Sequence, residues 1–426
     1  MKPLLIRNVR FLDPGQNLDR NGSMILHDGR IAWFGGNGES VPQGVYDLIE
    51  GQNLVVCPGF IDLHCHLRQP GYEEKETIAT GTQAALRGGF STICCMPNTK
   101  PPLDNVQLLD FVKTKSDKEG AVHVLPVACV SKDRAGKELT DMIALAKAGA
   151  VAFSDDGEPV RDNEVMRQAL QMTRKLNVPV MDHCEAAVGG DADSEIKMVA
   201  RDLKLAEETG GWIHVQHVST AGSVKLIKEA KTRGVHVSAE ATPHHLTLNN
   251  ETIKKSGTLA KVNPPLRTEA DRLAVIQGLK EGTIDCIATD HAPHTAADKQ
   301  KEYQQAASGI SGFETAFGSL MSLVHAGQLT LEELIYRMTA APAKILGKQI
   351  DGQCKLKAGK LVDITIIHPT KEWKVNINKF ASKGKNTPLN GMNFIGKVVA
   401  TLPQGKTPFI DESVEIIRNY SLTGKR

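Results

Sequence analysis

Short apolar, strand-like runs alternate with longer helix-patterned stretches through the middle of the chain, and this alternation constrains the fold more than any other feature. The runs are Val55–Leu63, Ser91–Met96, Val122–Val130, Ala150–Ser154, Val178–Asp182, Ile213–Gln216, Val235–Ala239 and Ile284–Thr289. Each leads into polar residues. Segments such as Thr77–Gly88, Glu164–Leu176, Glu195–Thr209, Ala221–Thr232 and Ala270–Gly282 carry apolar residues at three- and four-residue spacing, the period of an amphipathic helix. Eight strands alternating with helices predict an α/β fold, a TIM-like (β/α)8 barrel over residues 55–351.

The two ends have a different texture. Leu4–Phe11, Met24–His27 and Arg30–Phe34 are short alternating segments, with turn signals at Asn21-Gly22 and Asp28-Gly29. Leu361–Ile367, Trp373–Ile377 and Lys397–Leu402 repeat that texture near the other end. Residues 1–54 and 352–426 are therefore expected to form one small composite β-sandwich domain beside the barrel. Residues 380–393, rich in Lys, Gly and Asn, are expected to form a loop.

Composition narrows the function classes. Lys+Arg 51 against Asp+Glu 49 gives a net charge of +2, which predicts no nucleic-acid or membrane partner. The longest apolar runs, such as Asn53–Ile61, fall well short of the roughly 20 residues that span a bilayer. MKPLLIRNVR meets charge too soon to act as a signal peptide, so a cytoplasmic location is expected. The eight cysteines contain no CxxC pair and read as buried, reduced thiols.

Chemistry concentrates where the predicted strands end. In a strand, residues i and i+2 face the same side, so His64 and His66 can converge on one ion. A pair of histidines alone is more often a solvated or core-satisfied pair than a metal site. Four further strand ends shift the weighting: Asp155-Asp156, His183-Cys184-Glu185, His217, and Asp290-His291 with His294 after it. Barrel active sites lie on that face. Nitrogen and oxygen donors without thiolate suit zinc in an open, catalytic site, with manganese or iron as alternatives. Six donors exceed one tetrahedral ion, so two metals sharing a carboxylate and a hydroxide fit better.

The motifs PGFIDLHCHLRQPG, CCMPNTKPPLD, FSDDG, DHCE, QHVST, ATPHHL, KVNPPLR and ATDHAPH occur in that order. This series resembles the type I bacterial dihydroorotases of the amidohydrolase superfamily over about residues 50–350. The resemblance implies that His64, His66 and Asp290 hold one zinc and that His183 and His217 hold a second. No lysine ends the fourth strand, and Asp156 matches the position of the family's bridging aspartate, beside a bridging hydroxide. Asp290 would also act as general base and then acid. His66, Arg68, Asn98, Asn263 and His294 match contacts to a carboxylated ring, and Ser308 and Gly309 match backbone contacts. Strand alternation places Arg68 on the face of His64 and His66.

The implied reaction is the reversible interconversion of L-dihydroorotate and N-carbamoyl-L-aspartate in pyrimidine biosynthesis. A homodimer and an association with aspartate transcarbamoylase are implied as well. Hydantoinases and allantoinases share this kind of site, and inactive dihydroorotase-like scaffolds form a second alternative; the scaffolds lose ligands that this chain keeps. Several residues are expected to play lesser parts: Asp155 as a hydrogen-bonding neighbour, His244, His245 and His291 outside the ligand set, His214 facing away from His217, and Trp212 in packing. Two departures from the family pattern stand out. The segment Ala186–Ser194 is short, implying a more open rim, and Gln69 replaces a commoner glutamate, with little effect expected.

Overall fold

A computed structural model describes residues 2–187, 189–350 and 354–423. The expected domain boundary at 351/352 lies outside the described residues. The chain opens with β1 (Leu4–Asp13), β2 (Leu18–His27), β3 (Arg30–Gly36), β4 (Gly44–Glu50) and β5 (Val55–Pro58). The barrel strands follow as β6 (Phe60–Cys65), β7 (Phe90–Cys95), β8 (His123–Pro126), β9 (Val180–Asp182), β10 (Ile213–Val215), β11 (Val237–Ala241) and β12 (Cys286–Ile287). The chain ends in β13 (Ile364–Lys374), β14 (Asn393–Leu402), β15 (Phe409–Ile410) and β16 (Ile416–Leu422).

The barrel closes through short bridges. β6, β7 and β8 form one parallel group, and β9 to β12 form another. Phe153 bridges Ala128 on one side and Val180 on the other, so residues 151–154 supply the fourth staves without a regular strand. Cys65 pairs with His291, and the His66 amide donates to the His291 carbonyl at 2.9 Å, sealing the last strand to the first. Ile61, Leu63, Cys94, Met96, Met181, Cys286 and Ala288 pack inside this ring, above a floor of Ala341, Ile345 and Leu346.

The helices dock because their sequences fix both their ends and their faces. In the helix Asn163–Leu176, the Asp162 carboxylate accepts from the amides of Glu164 and Val165 at 2.8 and 3.1 Å. Val165, Met166, Ala169, Leu170 and Thr173, at helical spacing, form its buried face. Asn177, at φ 53°, ends it in the left-handed conformation that asparagine tolerates. Each fully buried Leu or Met on such a face contributes about 1.5–3 kcal/mol.

Both ends of the chain join one nine-stranded sheet. It branches at β1, which pairs with β4 near its start and with β5 further along. The folded sheet encloses its own core of Ile6, Val9, Phe11, Met24, Ile31, Ile49, Val56, Ile364 and Val399. Two expectations change here. The run Val55–Leu63 is two strands rather than one. β5 pairs with β1 and β13 in the terminal sheet, and only β6 enters the barrel. Asn21-Gly22 is not a turn but lies inside β2, where Gly22 faces Gly36. A Cβ on Gly22 would meet the Gly35 carbonyl at 2.2 Å, so glycine serves a close strand crossing there.

Candidate active site

The five strand ends converge. His64 and His66 from the end of β6 stand with ring centroids 5.3 Å apart. Asp290 Oδ1 lies 3.0 Å from His66 Nε2 and 3.5 Å from His64 Nε2. Asp156 sits between the two halves of the set. Its Oδ1 is 3.3 Å from His64 Nε2, 3.7 Å from His183 Nδ1 and 3.8 Å from His217 Nε2, while Oδ2 is 3.5 Å from His66 Nε2. His183 Nδ1 and His217 Nε2 are 2.8 Å apart. All six groups are buried.

Backbone strain marks the same places. Arg68, His217 and Asp290 have φ of 61°, 33° and 45°, a region side-chain-bearing residues seldom occupy. That turn corrects one expectation. His214 does not face away from His217, because β10 ends at Val215 and the positive φ of His217 breaks the alternation. His214 instead points into the site's support. Its Nε2 is 3.0 Å from Glu240 Oε2, and Glu240 Oε1 is 2.8 Å from His64 Nδ1. Ser238 continues this chain, contacting His214 Nδ1 at 2.8 Å and accepting from the Trp212 indole at 3.0 Å. Glu240 thus keeps the proton of His64 on Nδ1 and leaves Nε2 free to bind a metal.

The donor set fits metal ions. His64 Nε2 is buried, has no hydrogen-bond partner among the described residues, and faces the carboxylates of Asp156 and Asp290. Burial alone would strip the charge from His64, but Asp156 and Asp290 outweigh it and lift its pKa well above the usual value. Burial likewise opposes charge on His183, yet Asp156 and Glu185 raise it to about 10. Two groups, His64–His66–Asp290 and His64–Asp156–His217, each bring their ligand atoms within 4.8 Å of one another. A pocket that stabilises positive charge and offers only nitrogen and oxygen donors suits a divalent ion.

The residues expected to meet substrate sit on the rim. Arg68 Nη2 is 3.2 Å from His294 Nε2, and Arg68 Nε donates to the Pro293 carbonyl at 3.3 Å. β6 ends at Cys65, so the turned backbone at Arg68, rather than alternation, aims this side chain. Asn98 Oδ1 lies 2.9 Å from His66 Nδ1, and its amide donates to Asp156 Oδ2 at 3.3 Å. Asn263 Nδ2 is 2.9 Å from His183 Nε2. The Ser308 carbonyl accepts from His294 Nε2 at 2.8 Å. Gly309 lies in the same loop, but both its backbone groups are engaged internally, with the Lys261 carbonyl and the Asn386 amide.

On the short segment after Glu185, Gly189 and Gly190 contact residues of the rim. The Gly189 amide donates to Asn263 Oδ1 at 2.8 Å and to Glu185 Oε2 at 3.1 Å, and the Gly190 carbonyl accepts from Arg267 at 2.8 Å. These contacts tie Gly189 and Gly190 to Asn263, Glu185 and Arg267. Asp155 is structural, accepting from the amides of Val130 and Ser131 at 2.9 and 3.1 Å. Gln69 accepts from the Ile78 amide at 3.1 Å, at the start of the helix Ile78–Arg87. His245 braces the Pro264 carbonyl at 2.9 Å, and His291 stacks on Phe313 at 4.2 Å between centroids. His244 is buried, and burial pushes its pKa down to about 4.

Sequence reasoning missed Glu240 and Arg134. A fully buried acid in the middle of the apolar strand β11 was a usable signal for the first. Arg134 donates to the carbonyls of Asp155 and Asp156 from a distant loop, and nothing local announces it.

Comparison with known proteins places this geometry. Residues 53–197 match the family described as dihydro-orotase-like. A dihydroorotase of Syntrophus aciditrophicus (strain SB) is 43% identical, with 96% of this chain and 100% of its own length covered. One of Aquifex aeolicus (strain VF5) is 42% identical over the same shares. Among solved structures, an L-hydantoinase (dihydropyrimidinase) from Arthrobacter aurescens superposes with a TM-score of 0.87 at 24% identity, covering 98% of each chain. It shares the fold. With near-complete coverage at that level of identity, the chain belongs to the dihydroorotase family.

Proposed function

We propose that this protein is a zinc-dependent dihydroorotase, which hydrolyses the ring amide of L-dihydroorotate to N-carbamoyl-L-aspartate and catalyses the reverse closure. The observation that carries the substrate assignment is Arg68 beside His294 at the rim. Cyclic amide hydrolases of several specificities can share the metal-binding floor. A guanidinium above that floor suits a ring bearing a carboxylate.

His64, His66 and Asp290 would hold one zinc, His183 and His217 a second, and Asp156 reaches both sets. Two zinc ions bound there supply Lewis acidity, polarising the scissile carbonyl and bringing water close to ionisation at neutral pH. The chain's own residues do the rest. Arg68, with the neutral His294 beside it, grips the carboxylate and fixes the ring's orientation. Burial would neutralise Asp290, but His64 and His66 hold it ionised, below the usual carboxylate range. Asp290 then takes the proton of the attacking water and returns it to the departing ring nitrogen. In the closing direction it removes the ureido proton.

Specificity tests this reading. Turnover of dihydroorotate should exceed that of dihydrouracil, hydantoin and allantoin by about a hundredfold or more, since each lacks the carboxylate that Arg68 awaits. Equal rates would reject the substrate assignment.

Among the described residues no helix is long and apolar enough to cross a membrane. The family resemblance extends the proposal to a cytoplasmic homodimer that associates with aspartate transcarbamoylase. Sedimentation of the protein alone and mixed with that enzyme checks both, and a monomer unmoved by the mixture would remove them.

A further inference from the structure

The loop that carries His294, Ser308 and Gly309 is stapled at its base by a single side chain from the far end of the sequence. Ala292 and Ile310 close the loop, the Ala292 amide donating to the Ile310 carbonyl at 2.9 Å. Asn386 crosses that closure. Its Nδ2 donates to the carbonyls of Ala292 and Gly309, both at 3.0 Å. Its Oδ1 accepts from the His294 amide at 2.8 Å and from Ser311 Oγ at 3.0 Å. Its backbone carbonyl accepts from the Ser311 amide at 2.9 Å. Both donors and both acceptor positions of the side-chain amide are therefore used, on residues from both arms of one loop.

The approach is built for this contact. A Cβ on Gly384 would meet Pro293 Cβ at 2.5 Å and Ser311 Oγ at 2.6 Å, so only glycine lets the segment lie so close. Upstream, Ser382 Oγ and the Lys383 amide both donate to the buried Glu76, which faces His291 Nε2 at 3.4 Å. The Ala381 amide donates to Glu314 at 2.9 Å. Residues 381–386 thus form a strap anchored on both sides of the site's eighth stave.

We propose that Asn386 is a positioning residue for substrate recognition, holding Pro293 and His294 where Arg68 and the substrate carboxylate need them. The inference rests on the dihydroorotase reading above. Arg68 leans on the Pro293 carbonyl at 3.3 Å, and His294 is held between Ser308 and Asn386. Freeing the loop base moves Arg68 and His294 together, while the six candidate ligands keep their own supports.

Asn386→Asp tests this, because it keeps the shape and replaces the two donated hydrogens with charge facing two carbonyls. Steady-state kinetics should show KM for dihydroorotate raised by about tenfold or more, with kcat within about threefold of the parent and zinc content unchanged. A merely structural role would instead lower the active fraction, reducing apparent kcat at constant KM, and that result overturns the proposal; unchanged constants overturn it too. If Asn386→Asp does not fold, Ser311→Ala, which removes one of the four side-chain bonds, and Gly384→Ala are read in the same way. A parent enzyme inactive on dihydroorotate with zinc bound would sink the functional reading itself. An active parent with no KM effect in any variant sinks only this inference.

Discussion

Asp290→Asn should leave the barrel folded and lower kcat for dihydroorotate by about a thousandfold or more. Asparagine matches aspartate in volume and tolerates the left-handed backbone that residue 290 adopts at φ 45°. What it loses is the carboxylate that lies 3.0 Å from His66 and 3.5 Å from His64. Among the described residues no other acid stands at that place. The nearest candidate, Asp156, is committed to four histidines. Circular dichroism and Tm of the variant should match the parent while kcat collapses. Near-normal turnover would remove Asp290 as the group that moves the proton.

The second large effect is expected at Asp156. Asp156→Asn should reduce bound zinc from two per chain to fewer than one, with activity falling in step. Losing even an outer partner of a metal ligand costs about ten- to a hundredfold in affinity, and Asp156 is proposed as a shared inner ligand. Burial works against its charge, but His64, His183 and His217 hold it well below the usual carboxylate range. An amide at this position leaves four imidazoles facing one another without the one carboxylate that lies near all of them. Full zinc retention in Asp156→Asn would mean that the two halves of the set do not share this ligand.

The proposed metal-binding floor was legible because its members follow apolar runs, and the period of two predicts that His64 and His66 share a face. The same rule misplaced His214. It assumes an extended backbone, and His217 leaves that conformation. Arg68 shows the converse: its position on the rim was anticipated, but its own φ of 61° aims it. The strand boundary at residue 59 was hidden because β5 and β6 are both fully buried and the apolar run passes through Gly59 without a polar break, although one strand joins the terminal sheet and the other the barrel. Gly59 marks the break, and a Cβ there would meet Ser91 Oγ at 2.2 Å.

Support for the site was harder to read than the site. Glu240 could have been found as a charge in a buried strand. Asn386 could not, since it lies in a polar, Lys- and Gly-rich stretch whose local composition says only loop. Its partners lie far back along the chain, and only the tertiary fold brings them together.

Zinc titration of the metal-free protein, followed by dihydroorotate hydrolysis at each step, tests the central claim most directly. The account predicts no turnover without metal, binding that saturates at two zinc per chain, and activity that rises with occupancy of the site. Turnover that persists after complete metal removal, or a fully loaded protein that leaves dihydroorotate intact, would contradict it.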